Sequence, residues 1–332
     1  MRRFGTFLAF SLVLIALGIG ASAYWLREAV SIDRRLPTHE ISLVIPRGAS
    51  GHDVARLLAN HGIVGSRIAF ELLARIRSQQ SSMKAGEFRF SPHRTASEVL
   101  SQVVDGGEQI AVWVTIPEGF TSKEIATVLA EHGFGNSDSF ERAFARGSLV
   151  LGGTATPTLE GYLFPDSYLI PKTASSHEIV KIFTDQFRAA LPRDATERAR
   201  ALHLTIPQVV TLASLVEREA KADDERALMA GVYYNRLRLG MPLQVDATIE
   251  YTFPHHKSTI SLADLASDSP YNTYKHAGLP PTPIANPGRA SLDAAFHPRA
   301  SDYLYYVYMG NGRSAFARTL AEHNANVARY LH

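Results

Sequence analysis

Hydrophobic positions along this chain follow three regimes. The first is continuous. Phe4 to Leu26 reads FGTFLAFSLVLIALGIGASAYWL without a charge. At a helical rise of about 1.5 Å per residue it can span a hydrocarbon layer of roughly 30 Å. Arg2 and Arg3 precede it, and Arg27 and Glu28 follow. That bias predicts a transmembrane anchor at 4–26, with residues 1–3 cytoplasmic and the bulk outside. Ala21 to Ala23 also resembles a cleavage site, but the run is longer than a usual signal core, which favours an uncleaved anchor. Residues 27–40 are polar and form a linker.

The second regime is a repeat of short apolar stretches and amphipathic helices. VIPRGASGHDVARLLANHGI (Val44–Ile63) aligns without a gap on TIPEGFTSKEIATVLAEHGF (Thr115–Phe134). Each copy predicts a strand ending at Ile-Pro, then a turn at Gly48 or Gly119. A helix follows, capped by Ser50 or Thr121, with Asp53 or Glu124 completing a capping box. Gly62 or Gly133 closes it in a left-handed conformation. His61 and His132 then meet the negative ends of helix dipoles, a role that needs no metal. Between the copies the pattern predicts a helix at Arg67–Arg77, a strand at Gly86–Phe90 and a helix at Thr95–Val104, with a strand at Ile110–Ile116 after them. This is a compact α+β module, suited to glycan binding or to plain packing.

The third regime is longer helices separated by loops. Helices are predicted at His177–Leu191, Asp194–Ala201, from Thr205 with Pro207 in the first turn, and at Asp223–Leu239. MPLQVDATIEYTF and Ser269–Gly288 read as loops, the second rich enough in Pro, Gly, Asn and Tyr to suggest a binding surface. The end reads helix (Ser291–Phe296), hairpin (Tyr303–Tyr308 and Ser314–Thr319 about a Gly-Asn-Gly turn) and a last helix.

Composition narrows the chemistry. Lys+Arg 34 against Asp+Glu 32 leaves a formal charge of +2, so no basic field supports a nucleic-acid partner. Without cysteine there is no disulfide, thiolate metal site or cysteine nucleophile. No histidine spacing matches a helical zinc motif, and no metal is expected. No Gly-x-Ser-x-Gly elbow supports a serine hydrolase.

One stretch remains, TLASLVEREA (Thr211–Ala220), where an apolar helix carries Glu217 and Glu219. At 100° per residue they project 200° apart, so they cannot form a dyad with each other. Glu217 shares its side with small Ala213, Ser214 and Ala220, which would leave room for a substrate. Glu219 lies beside Leu212, Leu215 and Val216 and suits an ion pair with an arginine of a neighbouring helix. Glu217 is therefore preferred as a half-buried general acid, while Arg218 points away from the apolar arc; the alternative is that both glutamates are salt-bridge residues at the edges of the helix.

Several strings then carry a resemblance: LASLVERE (212–219), YNRLRLGMPLQVDATIEY (234–251), SPYNTYKHAGLPPTPIANPG (269–288), AAFHP (294–298), YLYYV (303–307), EHN (322–324) and EGYLFPDSY (160–168). In this order the chain resembles the MltG (YceG-like) family of endolytic murein transglycosylases. The resemblance implies an α+β protein with an N-terminal transmembrane helix, a LysM-like module at 41–110 and a mixed α/β catalytic domain at 111–332. It implies peptidoglycan glycan strands as substrate, proximity to glycan polymerases, and an extracytoplasmic location at the plasma membrane. It implies cleavage between N-acetylmuramic acid and N-acetylglucosamine without water, as the sugar's C6 hydroxyl closes a 1,6-anhydro ring. One acid that donates and then accepts a proton suffices, and the family's glutamate corresponds to Glu217. Substrate-binding candidates are Glu160, Asn235, Gln244, Asp246, Tyr271, Asn272 and Tyr274. Asn235 could instead fix a loop. Asp246 could serve a two-carboxylate hydrolase, and a non-catalytic scaffold is the rival of another class. Arg236 is expected to partner a helix carboxylate, and Pro280 and Pro281 to stiffen their loop. Ser314 stands where family members often carry a histidine.

Overall fold

A computed structural model describes Gly20 and residues 39–92, 94–253, 257 and 260–331. Apart from Gly20, the segment 4–26 lies outside the described residues, as do residues 27–38 of the linker. Among the described residues no single helix is long and apolar enough to cross a membrane. The chain divides into two compact units, Met1–Trp113 with Tyr168–Thr173, and Val114–Ser167 with Ala174–His332.

The first unit is built on a four-stranded sheet in the order Ile41–Ile45, Gly86–Phe90, Gln109–Thr115, Ser167–Pro171. The first two strands are antiparallel, with Leu43 opposite Phe88. Alternation sends Leu43, Ile45, Phe88 and Phe90 to one buried face. Val54 and Leu58 of helix Gly51–Asn60, Phe70 of Arg67–Ile76 and Val99 of Ala96–Asp105 complete that core. The predicted capping is present in both repeat copies. Ser50 with Asp53, and Thr121 with Glu124, form complete boxes at helices Gly51–Asn60 and Ser122–Glu131. Gly62 and Gly133 adopt positive φ, and the rings of His61 and His132 bond the carbonyls of Leu57 and Val128.

Strand Ser167–Pro171 was not expected, and it belongs to the sheet of the first unit. Its apolar core is only three residues long and lies between Pro165 and Pro171, so locally it reads as a loop. It survives as a strand because it sits at the edge of the sheet, where proline is tolerated. Only non-local pairing reveals it: the Lys172 amide, just beyond its end, donates to the Ile110 carbonyl at 2.9 Å.

The second unit is organised around helix Ile206–Glu219. Thr205 and Gln208 cap it, and every side chain from Ile206 to Val216, except Gln208, is buried. Helices Ala195–Ala201, Arg226–Arg238, Asp246–Glu250 and Arg289–Phe296 pack against it. Three expectations shift. Asp223–Glu225 is a separate 3-10 turn before Arg226–Arg238. Residues 246–250, read as loop, are helical. Helix Ser137–Arg146, which the sequence pattern did not single out, packs beside Ser122–Glu131. The C-terminal hairpin pairs Tyr305–Tyr308 with Ser314–Ala317 before helix Leu320–Tyr330.

The proline-rich loop closes on Gly161, beside Val210 of helix Ile206–Glu219. Gly161 has φ +88°, and a Cβ there would meet Pro283 at 2.4 Å. Gly161→Ala should therefore lose roughly 2–4 kcal/mol of stability in urea unfolding, the sum of a left-handed backbone and overpacking. A loss under about 0.5 kcal/mol, within the range of an ordinary surface change, would show that the loop is not clamped there.

Candidate active site

Helix Ile206–Glu219 ends in two carboxylates that leave in opposite directions, as their 200° separation requires. Their surroundings are the reverse of those expected. Glu217 holds the ion pair. Its side chain is 7% exposed, Arg226 approaches Oε1 at 3.4 Å, and the Gly288 amide donates to Oε2 at 2.9 Å. Arg226 also bonds Ser291 at 2.6 Å and Asp223 at 3.0 Å. Glu217 thus ties together the ends of three helical elements. The space promised by small Ala213 and Ser214 is filled by protein: Ser214 is fully buried and its hydroxyl accepts the Ile284 amide at 3.0 Å. Helical spacing revealed the small side chains but not the loop that covers them. Arg218, between the two glutamates, bonds Glu250 at 3.0 Å.

Glu219 is the carboxyl with the character of an acid. It is the last residue of its helix. Burial pushes its pKa up, and the negative charge of Asp246 adds to that, against opposing help from the Tyr306 hydroxyl, Lys221 and the Ala247 amide. Three of the predicted substrate residues lie in this neighbourhood. Asp246 is exposed and accepts the Tyr274 hydroxyl. Gln244 is exposed, and it is held at φ +52°, a conformation uncommon for any residue but glycine. Its backbone is pinned there by Thr273, whose carbonyl accepts the Gln244 amide at 3.1 Å and whose hydroxyl accepts the Val245 amide at 3.0 Å. An observed backbone outlier among exposed polar groups is a pointer to function.

The other predicted site residues lie elsewhere. Asn272 is fully buried. Its amide donates to the carbonyls of Leu265 and Ser267, and its Oδ1 accepts the Tyr274 amide, so it shapes the loop from inside. Asn235 donates to the carbonyls of Ser301 and Tyr303, the loop-fixing alternative. Arg236 is 6% exposed and bonds the carbonyls of Leu304 and Leu243 instead of a helix carboxylate. Ser314 is 8% exposed, and its amide donates to Glu225 at 3.0 Å. Pro280 and Pro281 line a proline-rich cavity of about 430 Å³ with Tyr162 and Pro207.

Glu160 forms a knot of its own. It is 4% exposed and accepts from the Ser122 amide, the Ser122 hydroxyl, Asn286 and Tyr251, at 2.8–3.2 Å. Tyr271 joins this knot, with its ring 5.0 Å from that of Tyr251 and its hydroxyl on Thr282. Glu160 lines a cavity of about 470 Å³ with Arg218, Glu250 and Tyr251. Burial raises its pKa to about 7, although its donors favour the charged form. Asn286, which sequence reasoning passed over, is the hinge of this knot. It exchanges backbone hydrogen bonds with Gly119 and Phe120, while its Oδ1 accepts the Leu163 amide. Among the described residues no group of three or more His, Cys, Asp or Glu side chains could hold a metal.

An α+β protein with a half-buried carboxylic acid beside exposed polar groups is the class this geometry defines. Residues 43–329 match the YceG-like family, and the chain belongs to it. It is similar to the endolytic murein transglycosylase of Bacillus subtilis strain 168, with 32% identity covering 88% of this chain and 85% of that one. The endolytic murein transglycosylase of Streptococcus pneumoniae D39 is 29% identical over 98% of this chain, which spans 64% of that protein's length. A crystal structure of a YceG-like protein from Listeria monocytogenes matches with TM-score 0.63 and 29% identity, covering 87% of this chain and 99% of that one.

Because Glu160 has a folded pKa of about 7 against an ordinary 4.5, the folded state binds its proton more tightly than the unfolded state. This contribution is fully present below about pH 4.5 and is lost as pH rises through about 7, a change on the order of 3 kcal/mol. Glu160→Gln should remove that part of the slope in thermal melts compared across the window. Parallel wild-type and variant curves would place the proton elsewhere.

Proposed function

We propose that this chain is a membrane-anchored endolytic lytic transglycosylase of peptidoglycan. The observation that carries the reading is the likeness, over most of both chains, to the Bacillus subtilis protein of that activity. The geometry adds support through a half-buried acid, Glu219, whose pKa burial pushes up, with exposed polar groups beside it.

Glu219 is the acid and then the base of this reading. It gives its proton to the glycosidic oxygen between N-acetylmuramic acid and N-acetylglucosamine. The bond from that oxygen to the anomeric carbon breaks, and the bonding electrons leave with the oxygen. The C6 hydroxyl of the muramic sugar attacks the anomeric carbon and returns a proton to Glu219. Atoms balance without water, so one carboxyl does both tasks, whereas an ordinary glycoside hydrolase needs two. Burial suits the first half, because it keeps the group protonated. In this reading Gln244 bonds an acetamido group, Tyr274 stacks on a pyranose ring, and Asp246 bonds sugar hydroxyls. Glu217 is structural here, held in its ion pair with Arg226.

Residues 4–26 form the anchor in this reading, with the N-terminus inside and the enzyme outside the plasma membrane. Residues 41–110 act as a LysM-like guide for glycan. Cleavage within strands places the protein close to glycan polymerases.

The test is digestion of purified peptidoglycan by the full-length protein in detergent. The expected products carry 1,6-anhydromuramic acid ends. Ordinary reducing ends would favour a two-carboxylate muramidase, and binding without new ends would favour a scaffold. Glu219→Gln should lower turnover by roughly 10²–10⁴-fold. Glu217→Gln should mainly lower the melting temperature. A stable Glu217→Gln protein without activity, beside an active Glu219→Gln protein, would return the catalytic role to Glu217.

A further inference from the structure

We propose that Tyr306, backed by Tyr233, is a positioning residue for Glu219, and that Asn235 and Arg236, on the same helix as Tyr233, serve to deliver Tyr306 to that carboxyl. The inference rests on Glu219 being the acid.

The contact itself is simple. The Tyr306 hydroxyl donates to Glu219 Oε2 at 3.2 Å. The Tyr233 hydroxyl lies 2.9 Å from that of Tyr306, and the two rings meet edge to face at 6.1 Å. Tyr306 has one proton, and it points at the carboxyl. Tyr233 must therefore donate to the Tyr306 oxygen, which fixes the direction of the chain from Tyr233 through Tyr306 to Glu219. Tyr233 is fully buried, and a buried hydroxyl without a partner is costly, so the relay holds itself in place.

The surrounding grip is directed at the same strand. Helix Arg226–Arg238 presents Tyr233, Asn235 and Arg236 to residues 301–306. Asn235 bonds the carbonyls of Ser301 and Tyr303, at 2.7 and 3.0 Å. Arg236 bonds the Leu304 carbonyl at 2.6 Å, and its guanidinium lies 5.1 Å over the Tyr305 ring. Four successive carbonyl and ring contacts thus set where strand Tyr305–Tyr308 begins. The strand alternates, so fixing Tyr305 on one face fixes Tyr306 on the other. None of these groups has to touch a sugar.

The chemical effect follows from which oxygen is held. With Oε2 accepting from Tyr306, the proton of the neutral acid is left to Oε1. Once that proton has gone to the leaving oxygen, Glu219 is charged in a partly desolvated place. The Tyr306 hydroxyl then stabilises the carboxylate until it collects the C6 proton. The groups facing Glu219 are Asp246, which opposes its charge, and Lys221 and the Ala247 amide, which favour it, with Tyr233 and Tyr274 nearby.

The experiment compares full-length wild type, Tyr306→Phe, Tyr233→Phe and Glu219→Gln on peptidoglycan strands, across pH and with melting temperatures. Each phenylalanine keeps the ring and removes only the hydroxyl. Tyr306→Phe should lower kcat roughly 10- to 100-fold with KM within about twofold. Its alkaline limb should move to higher pH, because losing a donor to the charged form makes Glu219 hold its proton longer. Tyr233→Phe should shift the limb the same way by less. A Tyr306 that merely packs would change melting temperature and leave the limb in place, and that result overturns the inference. If wild type makes anhydro ends and Glu219→Gln does not, the result bears on the Tyr306 inference alone. If Glu219→Gln matches wild type, the assignment of the acid fails and the inference goes with it.

Discussion

The second unit depends on one constraint: a helix buried on all sides must place the polar groups of its last turn somewhere. Ile206 to Val216 leave almost no solvent-facing side, and Glu217, Arg218 and Glu219 follow at once. Each carboxylate or guanidinium that cannot reach bulk water needs a partner. Arg226 and the Gly288 amide answer Glu217, and Glu250 answers Arg218. Glu219 receives hydroxyl and amide donors, and burial still pushes its pKa up. Residues from distant parts of the chain are drawn to one helix end because these three side chains require them.

The loops obey the same logic at a second point. Glu160 and Asn286 cross-link the segment at 119–122 to the end of the proline-rich loop, and that loop carries the Gly288 amide to Glu217. A buried polar network of this kind gains rigidity only when each member is satisfied. Asn286 meets the requirement through both its side-chain atoms and both its backbone groups. The flexible-looking Asn286-Pro287-Gly288 sequence is therefore fixed where it meets helix Ile206–Glu219.

Much of the fold was legible from the amino-acid order. The two repeat copies, their capping boxes and their closing glycines arise from neighbours three or four residues apart, and they appear as expected. The Thr205 cap, the proline start and the opposed directions of Glu217 and Glu219 are local as well. Strand Ser167–Pro171 was not legible, because three apolar residues between prolines become a strand only beside a partner far away in sequence. Of the residues near Glu219, Gln244, Asp246 and Tyr274 stood in strings that the sequence already singled out. Tyr306 lay in a quoted string, YLYYV, yet nothing in that string said which carboxyl it would reach.

By itself, the sequence determined that two glutamates leave one helix on opposite sides, and that only one of them needs to do chemistry. That follows from the 100° helical step, which is local geometry. Only the tertiary structure gave the two their different surroundings, because the environment of a carboxyl is set by what packs over it. Small residues beside Glu217 read as open space until the loop at 283–288 filled it and Arg226 paired with the charge. Bulky residues beside Glu219 read as a closed core until the C-terminal strand brought a hydroxyl, and the 244–246 turn brought exposed polar groups, to its edge.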